Sequence, residues 1–494
     1  MKKIGFDNEK YFKLQKEKIQ ERIELFDNKL YMEFGGKLFD DFHAARVLPG
    51  FHYDNKAELL MQMRDDLEVV IAINALDIEH NKIRSDNALS YDQELLRLID
   101  SFRDMGLYVS SVVITRFDGQ ESSMKFKRKL ENLGMKVYLH YRIDGYPSNV
   151  PFILSEKGFG RNDYIETTRP LVMITAPGSG SGKMAVCLSQ LYQDSIKGLK
   201  SGYAKFETFP VWNLPLKHPV NLAYESATAD LNDVNIIDPF HFSEYNIVAT
   251  SYNRDADVFP VLKSVFKSIY GDSPYNSPTD MGVNVIGSCI LDDEIVSKAA
   301  KDEIIRRYLV AVVNHRKDKE KIETVNKLEM LMNTCELDVS DRKIVGIAND
   351  IAKKTGNPAV AMELADGRIV TGKTSSLLGS ASACLLNALK TIANIDDDIH
   401  LISSSVIKPV QELKVNSLGN TNPLLHIDEV LIMLSVAATE NKYAKLAIDH
   451  IPDLAGSEMH SSVILSSTDR NVLKLLHINL TTDPTYQNKR LFRK

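Results

Sequence analysis

Residues Leu171–Thr175 form a short apolar run, LVMIT, that opens into Ala176-Pro177-Gly178-Ser179-Gly180-Ser181-Gly182-Lys183. Apolar positions at Met184, Leu188, Leu191 and Ile196 then predict a helix, and Lys197-Gly198 makes a natural end for it. Three glycines let successive backbone N–H groups curve toward one point, and a helix starting there adds unpaired amides and the positive pole of its dipole. Lys183 adds a full charge. This is the chemistry of a phosphate cradle, so Gly178, Ser179, Gly180, Ser181, Gly182 and Lys183 are the expected ligand-holding residues. Lys183 would also offset charge developing in a transition state. A glycine-rich structural turn with an incidental lysine is the competing explanation.

The segment resembles the Walker A loop of P-loop nucleotide-binding proteins, and its SGSGK core is a form found in nucleoside monophosphate kinases. The resemblance implies a nucleotide with Mg²⁺ as the bound group. It breaks at two positions: the leading glycine is Pro177, and the Ser/Thr that would coordinate Mg²⁺ is Met184, whose thioether cannot replace a hard oxygen ligand. It also breaks in placement, since this loop usually follows the first strand of its domain. A Walker B equivalent at residues 234–238 (VNIID) is interrupted by Asn235. The neighbouring Asp230, Asp233, Asp238 and His241 could supply the missing metal ligand or a base, with Asp238 and His241 as the catalytic candidates; turn and capping roles are the alternative.

A literal G-x-x-x-x-G-K-[ST] match runs from Gly367 to Thr374 (GRIVTGKT), but Arg-Ile-Val-Thr favours an extended strand and Gly367 belongs to a hairpin turn. Lys373 and Thr374 remain candidate anion binders, because residues 372–376 are expected to open a helix; capping by Thr374 or Ser375 competes. Imidazole and carboxylates at His426, Asp428, Glu429, Glu458 and His460 could hold zinc or manganese, although acidic residues in a first helical turn need no metal. Asp40, Asp41, His43 and Arg46, behind Gly35-Gly36-Lys37, are acid/base or anion-positioning candidates or else a solvated helix face. HExxH and GxSxG are absent, and no cysteine has a nucleophile's context.

The elements that must carry these groups read as α/β. A leading helix is expected over 8–27 and a strand over 30–34, then a short helix stopped by Pro49-Gly50. Further strands are expected at 69–73, 109–115 and 137–141, with helices at 91–105 and 125–133. Strands alternating with helices of this length predict a mostly parallel sheet with crossover helices. Prolines among aromatics after about residue 205 lead into a helical stretch, at 258–270 and 292–333. The chain turns mixed again with strands at 359–364 and 368–371 about an Asp366-Gly367 turn, a helix at 375–393, a strand at 401–404 and a helix at 428–438. The expected domains are 1–230 (α/β with the phosphate-type loop), 231–340 (mainly helical) and 341–494 (α/β or α+β).

At about 100–200 residues per domain, 494 residues accommodate two to four domains. Sixty Lys and Arg against 66 Asp and Glu give a net charge of −6; with 44% hydrophobic residues, disorder and coiled coil are excluded as the main class. No basic cluster exists to neutralise a nucleic-acid backbone, so DNA or RNA is disfavoured. The four cysteines lie far apart and predict reduced, buried thiols. The charged N-terminus lacks a signal-peptide core, and no apolar run reaches about 18 residues, so no membrane association is expected and a cytoplasmic location is. A large protein of this kind is often a symmetric homo-oligomer.

Longer phrases carry a further resemblance: EFGGKLFDDFHAARVLPGF, ITAPGSGSGKMAVCLSQLY, KFETFPVWNLPLKHPVNLAYE, SPTDMGVN, GRIVTGKTSSLLG and the HIDEV to EMHSSVILS stretch. End to end the chain resembles the uncharacterised bacterial family known as domain of unknown function 1846. The resemblance implies a cytosolic protein with an N-terminal α/β part, a helical part and a C-terminal α/β part, and offers no catalytic residues to carry over. Some relatives bear the label ATP-dependent peptidase, for which these residues supply no nucleophile, zinc-binding helix or full Walker pair. The expectations are thus an enzyme of phosphoryl or phosphate-linked group transfer on a small phosphorylated molecule, a non-catalytic ligand-binding or assembly protein, or a metal-dependent hydrolase using the C-terminal His/Asp/Glu group.

Overall fold

A strand covered on both faces reads as a near-continuous apolar run, and LVMIT and LEVVIAIN, the latter interrupted by Glu68 and ending in Asn74, are such runs: every residue of both is buried. The computed structural model describes residues 4–35, 38–39, 41–84, 89–206, 210–231 and 233–487. The chain forms two compact units, Ile4–Ser297 and a second that begins at Lys298.

The first unit is built on a seven-stranded parallel sheet. Its strands are β1 (Leu30–Phe34), β2 (Leu67–Asn74), β3 (Tyr108–Phe117), β4 (Lys136–Tyr141), β5 (Leu171–Thr175), β6 (Gly202–Phe206) and, after two strands outside this sheet, β9 (Gly282–Val283). The order across the sheet is β4-β3-β2-β5-β1-β6-β9. β7 (Asn235–Ile237) and β8 (Thr250–Tyr252) pair only with each other, antiparallel. Helices Asn8–Leu25, Tyr91–Asp104, Glu121–Asn132, Lys183–Ile196 and Asn253–Tyr270 accompany the sheet. The apolar core runs through the central strands, with Leu188 and Leu191 of one helix and Phe259 and Phe266 of another among its buried members. The expected leading helix, β1 to β5 and the helix after the glycine loop are all present; β6 and β9 were not foreseen.

Adjacent strands β2 and β5 send the chain in opposite directions: β2 continues to β3 on one side, whereas β5 continues to β6 beyond β1 on the other. Such a divergence leaves a crevice at the carboxyl ends of the two strands, where ligands bind in open α/β sheets. The glycine loop follows the last residue of β5, Thr175.

The helical stretch is present as Asp293–Arg316 and Ile322–Thr334. In the second unit the order is β11-β10-β12-β13, with β10 (Ala359–Glu363), β11 (Ile369–Lys373), β12 (Glu458–Ser461) and β13 (Asn479–Thr482). β10 and β11 form the expected antiparallel hairpin, with Gly367 at φ +87° in its turn. Its separate core gathers Val360 and Met362 with Leu385 and Leu389 of helix Ser380–Ile392 and Val430 and Leu434 of helix Ile427–Ala437. Two expectations need correction. No strand forms at 401–404, where Leu401 and Ile402 are buried in a bend before helix Ser404–Glu412. The helix expected from 375 starts only at Ser380, behind Gly379.

Candidate functional site

The loop is held by its carbonyl groups. Arg84 donates to Pro177 O, Ser181 Oγ to Gly178 O at 3.0 Å, Asn74 Nδ2 to Gly180 O at 3.5 Å and Thr115 Oγ1 to Ser181 O at 2.7 Å. Asn74 ends β2 and Thr115 lies near the end of β3, so the crevice walls fix the loop from behind. Its amides are left over: among the described residues, those of Ser179, Gly180, Gly182, Lys183 and Met184 meet no acceptor. Gly182 occupies the N-cap of helix Lys183–Ile196 with no side chain capping it. The first amides of any helix lack intrahelical partners, and here they continue a loop whose Ser179 and Gly180 are exposed, so the free donors are open to solvent.

Each glycine has a reason. Gly180 and Gly182 sit at φ +76° and +85°, left-handed backbone that favours glycine. A Cβ on Gly182 would lie 3.0 Å from Thr115 Oγ1, and one on Gly178 would collide with the Tyr91 hydroxyl. The loop is therefore pressed against β3 and helix Tyr91–Asp104. Lys183 is half-buried at the first helical position, and no carboxylate among the described residues pairs with it.

On the other side of β5 lies β1, whose Glu33 pairs in register with Ile174 of β5 and Lys205 of β6. Tyr203 donates its hydroxyl to Glu33 Oε2 at 2.8 Å, and Lys205 Nζ lies 2.5 Å from Asp255 Oδ1. Burial alone would lower the Lys205 pKa; Asp255 and Glu33 outweigh it and raise it, so the ammonium stays charged. Burial pushes the Cys187 thiol up, Glu33 adds to the rise and Lys183 opposes it. Both charges therefore act on the start of the loop helix. Glu33, Asn74, Arg84, Tyr91, Thr115 and Lys205 escaped the sequence reading; the apolar run Leu-Tyr-Met ending in Glu33 was the one available signal.

The acidic stretch stands elsewhere. Asn235 belongs to β7, in the two-stranded sheet, so VNIID is not a strand beside the loop. Asp238 is fully buried as a cap: Oδ1 accepts the Phe240 and His241 amides at 3.0 Å, and Oδ2 accepts Thr279 Oγ1 at 2.6 Å and its amide at 3.1 Å. His241 Nδ1 lies 3.0 Å from Ser277 Oγ. Asp233 Oδ2 lies 3.3 Å from Arg254, and Asp230 sits in a short 3₁₀ turn. Asp41 caps helix Phe42–Val47 and pairs with Lys56 at 2.8 Å, while the His43 ring meets that of Tyr224. Arg46 lies in the last turn of that helix; Gly36, Lys37 and Asp40 lie outside the described residues.

Lys373 ends β11, and the Thr374 amide is committed to Pro358 O at 2.9 Å. The helix terminus on which an anion site there depended begins at Ser380 instead. Nor are the five proposed metal ligands brought together. The His426 backbone amide donates to Glu429 Oε2 at 2.7 Å, which also meets Lys414 Nζ at 2.7 Å; the His426 ring lies 3.0 Å from Asp469. Asp428 accepts the Glu429 amide at 2.9 Å. Glu458 pairs with Arg342 at 2.5 Å, and the fully buried His460 lies between Thr481 at 3.0 Å and Asp483 at 3.3 Å. Among the described residues no three His, Cys, Asp or Glu side chains converge as a metal-holding group. The four cysteines are free, three of them buried, and no helix among the described residues is long and apolar enough to cross a membrane.

Comparison with known proteins adds identity without activity. Residues 4–336 match the N-terminal and residues 340–492 the C-terminal model of the domain of unknown function DUF1846. Proteins of Streptococcus pneumoniae strains JJA and Hungary19A-6, each named UPF0371 protein, are 54% identical over 494 residues, covering 100% of both chains. Matched from end to end in this way, the chain belongs to the uncharacterised DUF1846 family.

Proposed function

We propose that the protein binds the phosphate group of a small phosphorylated molecule, a nucleotide or a phosphorylated metabolite, on the loop from Gly178 to Lys183, and that it transfers a phosphoryl or phosphate-linked group. The observation that carries this is the division of labour within the loop. Its carbonyls are tied back to Arg84, Asn74, Thr115 and Ser181, while the amides of Ser179, Gly180, Gly182, Lys183 and Met184 meet no acceptor among the described residues. A merely structural turn has no need of so one-sided an arrangement, because free amides next to a helix N-terminus repel further positive charge and attract anions. The place supports it too: the loop stands at the divergence of β2 and β5.

The test is a thermal-shift screen of the wild type and Lys183→Ala against nucleotides, sugar phosphates and inorganic phosphate. A ligand present at a hundredfold excess over its Kd stabilises the native state by roughly 2.7 kcal/mol. The expected result is a raised Tm for the wild type, little or none for Lys183→Ala, and similar ligand-free Tm values. Equal shifts in both proteins would remove the loop from consideration. Turnover of the bound ligand separates an enzyme from a binding protein.

A further inference from the structure

A Walker-type site needs a hard oxygen for its cation, and the loop's own position for one is Met184. Mg²⁺ is commonly held by one or two carboxylates together with substrate phosphates, and P-loop enzymes draw one carboxylate from a neighbouring strand. The aspartates around β7 are not on such a strand, and Asp238 spends one oxygen on the Phe240 and His241 amides and the other on Thr279. β1 is such a strand, since it is hydrogen-bonded directly to β5.

We propose that Glu33 is the acidic residue of the phosphate site and holds a divalent cation, Mg²⁺ or Mn²⁺, that arrives on the ligand's phosphates; the inference rests on the phosphate-loop reading above. Register puts Glu33 opposite Ile174, next to the residue from which the loop departs. Alternation puts it on the same face of β1 as Tyr31, whose hydroxyl donates to Asp194 of the loop helix at 2.9 Å. Glu33 thus faces the element that begins with Lys183. Tyr203 takes one of its oxygens, and among the described residues Oε1 has no hydrogen-bond partner. Lys205, the cation across the register, is bound to Asp255 at 2.5 Å and acts on Glu33 through space without an ion pair to it among the described residues.

Glu33→Gln is a close test because the amide oxygen can still accept the Tyr203 hydroxyl. Calorimetric titration with inorganic pyrophosphate, with and without Mg²⁺, is run on the wild type, Glu33→Gln and Tyr203→Phe. Mg²⁺ is expected to tighten pyrophosphate binding to the wild type by about tenfold or more, and to Glu33→Gln by less than about twofold. Without metal, Glu33→Gln should bind at least as well as the wild type, having lost a negative charge. Tyr203→Phe, which keeps the carboxylate, should retain the Mg²⁺ gain. A full gain in Glu33→Gln, no gain in the wild type, or a gain lost equally in Tyr203→Phe overturns the assignment while leaving the loop in place. A wild type that binds no pyrophosphate with or without Mg²⁺ brings down the loop reading and this inference together.

Discussion

Two glycines of the loop share a left-handed backbone but not a neighbourhood. Around Gly180 a Cβ would meet nothing within 4 Å, whereas at Gly182 it would meet Thr115 Oγ1 at 3.0 Å. Gly180→Ala should therefore cost only the backbone term, on the order of 1–2 kcal/mol, and leave the amides in place. Gly182→Ala adds displacement of the loop from β3, so it should destabilise more and weaken phosphate binding more. Denaturant titration of both variants, each followed by ligand titration, checks the order; equal effects would mean that Thr115 yields without moving the loop. The motif's glycines and lysine were legible in the sequence because they are contiguous. Their need to be glycine was not, because Tyr91 and Thr115 come from distant parts of the chain. His426 and Glu429 were equally visible, yet spacing alone could not tell a cap from a ligand set, and the deciding partners, Lys414 and Asp469, lie outside the motif.

Long apolar runs and strong helix stops made most elements readable, while short mixed ones were not: β6 reads Gly-Tyr-Ala-Lys-Phe and finds its strand state only between β1 and β9. The apolar pair Leu401 and Ile402 mimicked a strand because burial, not extension, explains it. Two histidines on different elements give the protein opposite pH responses. On β4, His140 is buried with its Nε2 3.1 Å from Asp163 O, and burial lowers its pKa from 6.5 to about 4. Between those values the unfolded chain takes a proton that the folded one refuses. Stability must fall as pH drops from about 6.5 to about 4, by about 1.4 kcal/mol per pH unit and on the order of 3 kcal/mol in all. His140→Gln should flatten that part of the stability profile; an unchanged slope would show that the ring protonates in place. At the start of helix Ile427–Ala437 the bond to Asp469 raises the His426 pKa above 6.5. Burial would raise the Asp469 pKa, but the His426 ring, the Ile427 amide and the Ser466 hydroxyl outweigh it and lower it below 3.8. Above 3.8 and below 6.5 this pair stabilises fully, and the share that comes from the raised His426 pKa is lost as pH rises through the folded His426 value. His426→Ala should accordingly cost more at pH 5 than at pH 9, and denaturation curves at the two values measure the difference.

At the scale of the whole chain, the division into Ile4–Ser297 and the part from Lys298 falls inside helix Asp293–Arg316, so no change of composition marks it. Each part has its own apolar core, one on the parallel sheet and one on the four-stranded sheet. Separate cores are the condition for separate cooperative transitions. The glycine loop, Glu33 and His140 all belong to the first part, and the His426–Asp469 pair to the second. Scanning calorimetry should accordingly resolve two transitions, and a phosphate ligand, which stabilises only what it binds, should raise one and leave the other within about a degree. His140→Gln and His426→Ala serve as labels, since each should move a different transition as pH is varied. The transition raised by ligand must be the one that His140→Gln moves. If the ligand raises the transition marked by His426→Ala, the binding site lies in the second part and the loop after β5 is not its seat; if one transition carries all three responses, the two cores unfold as a single cooperative unit.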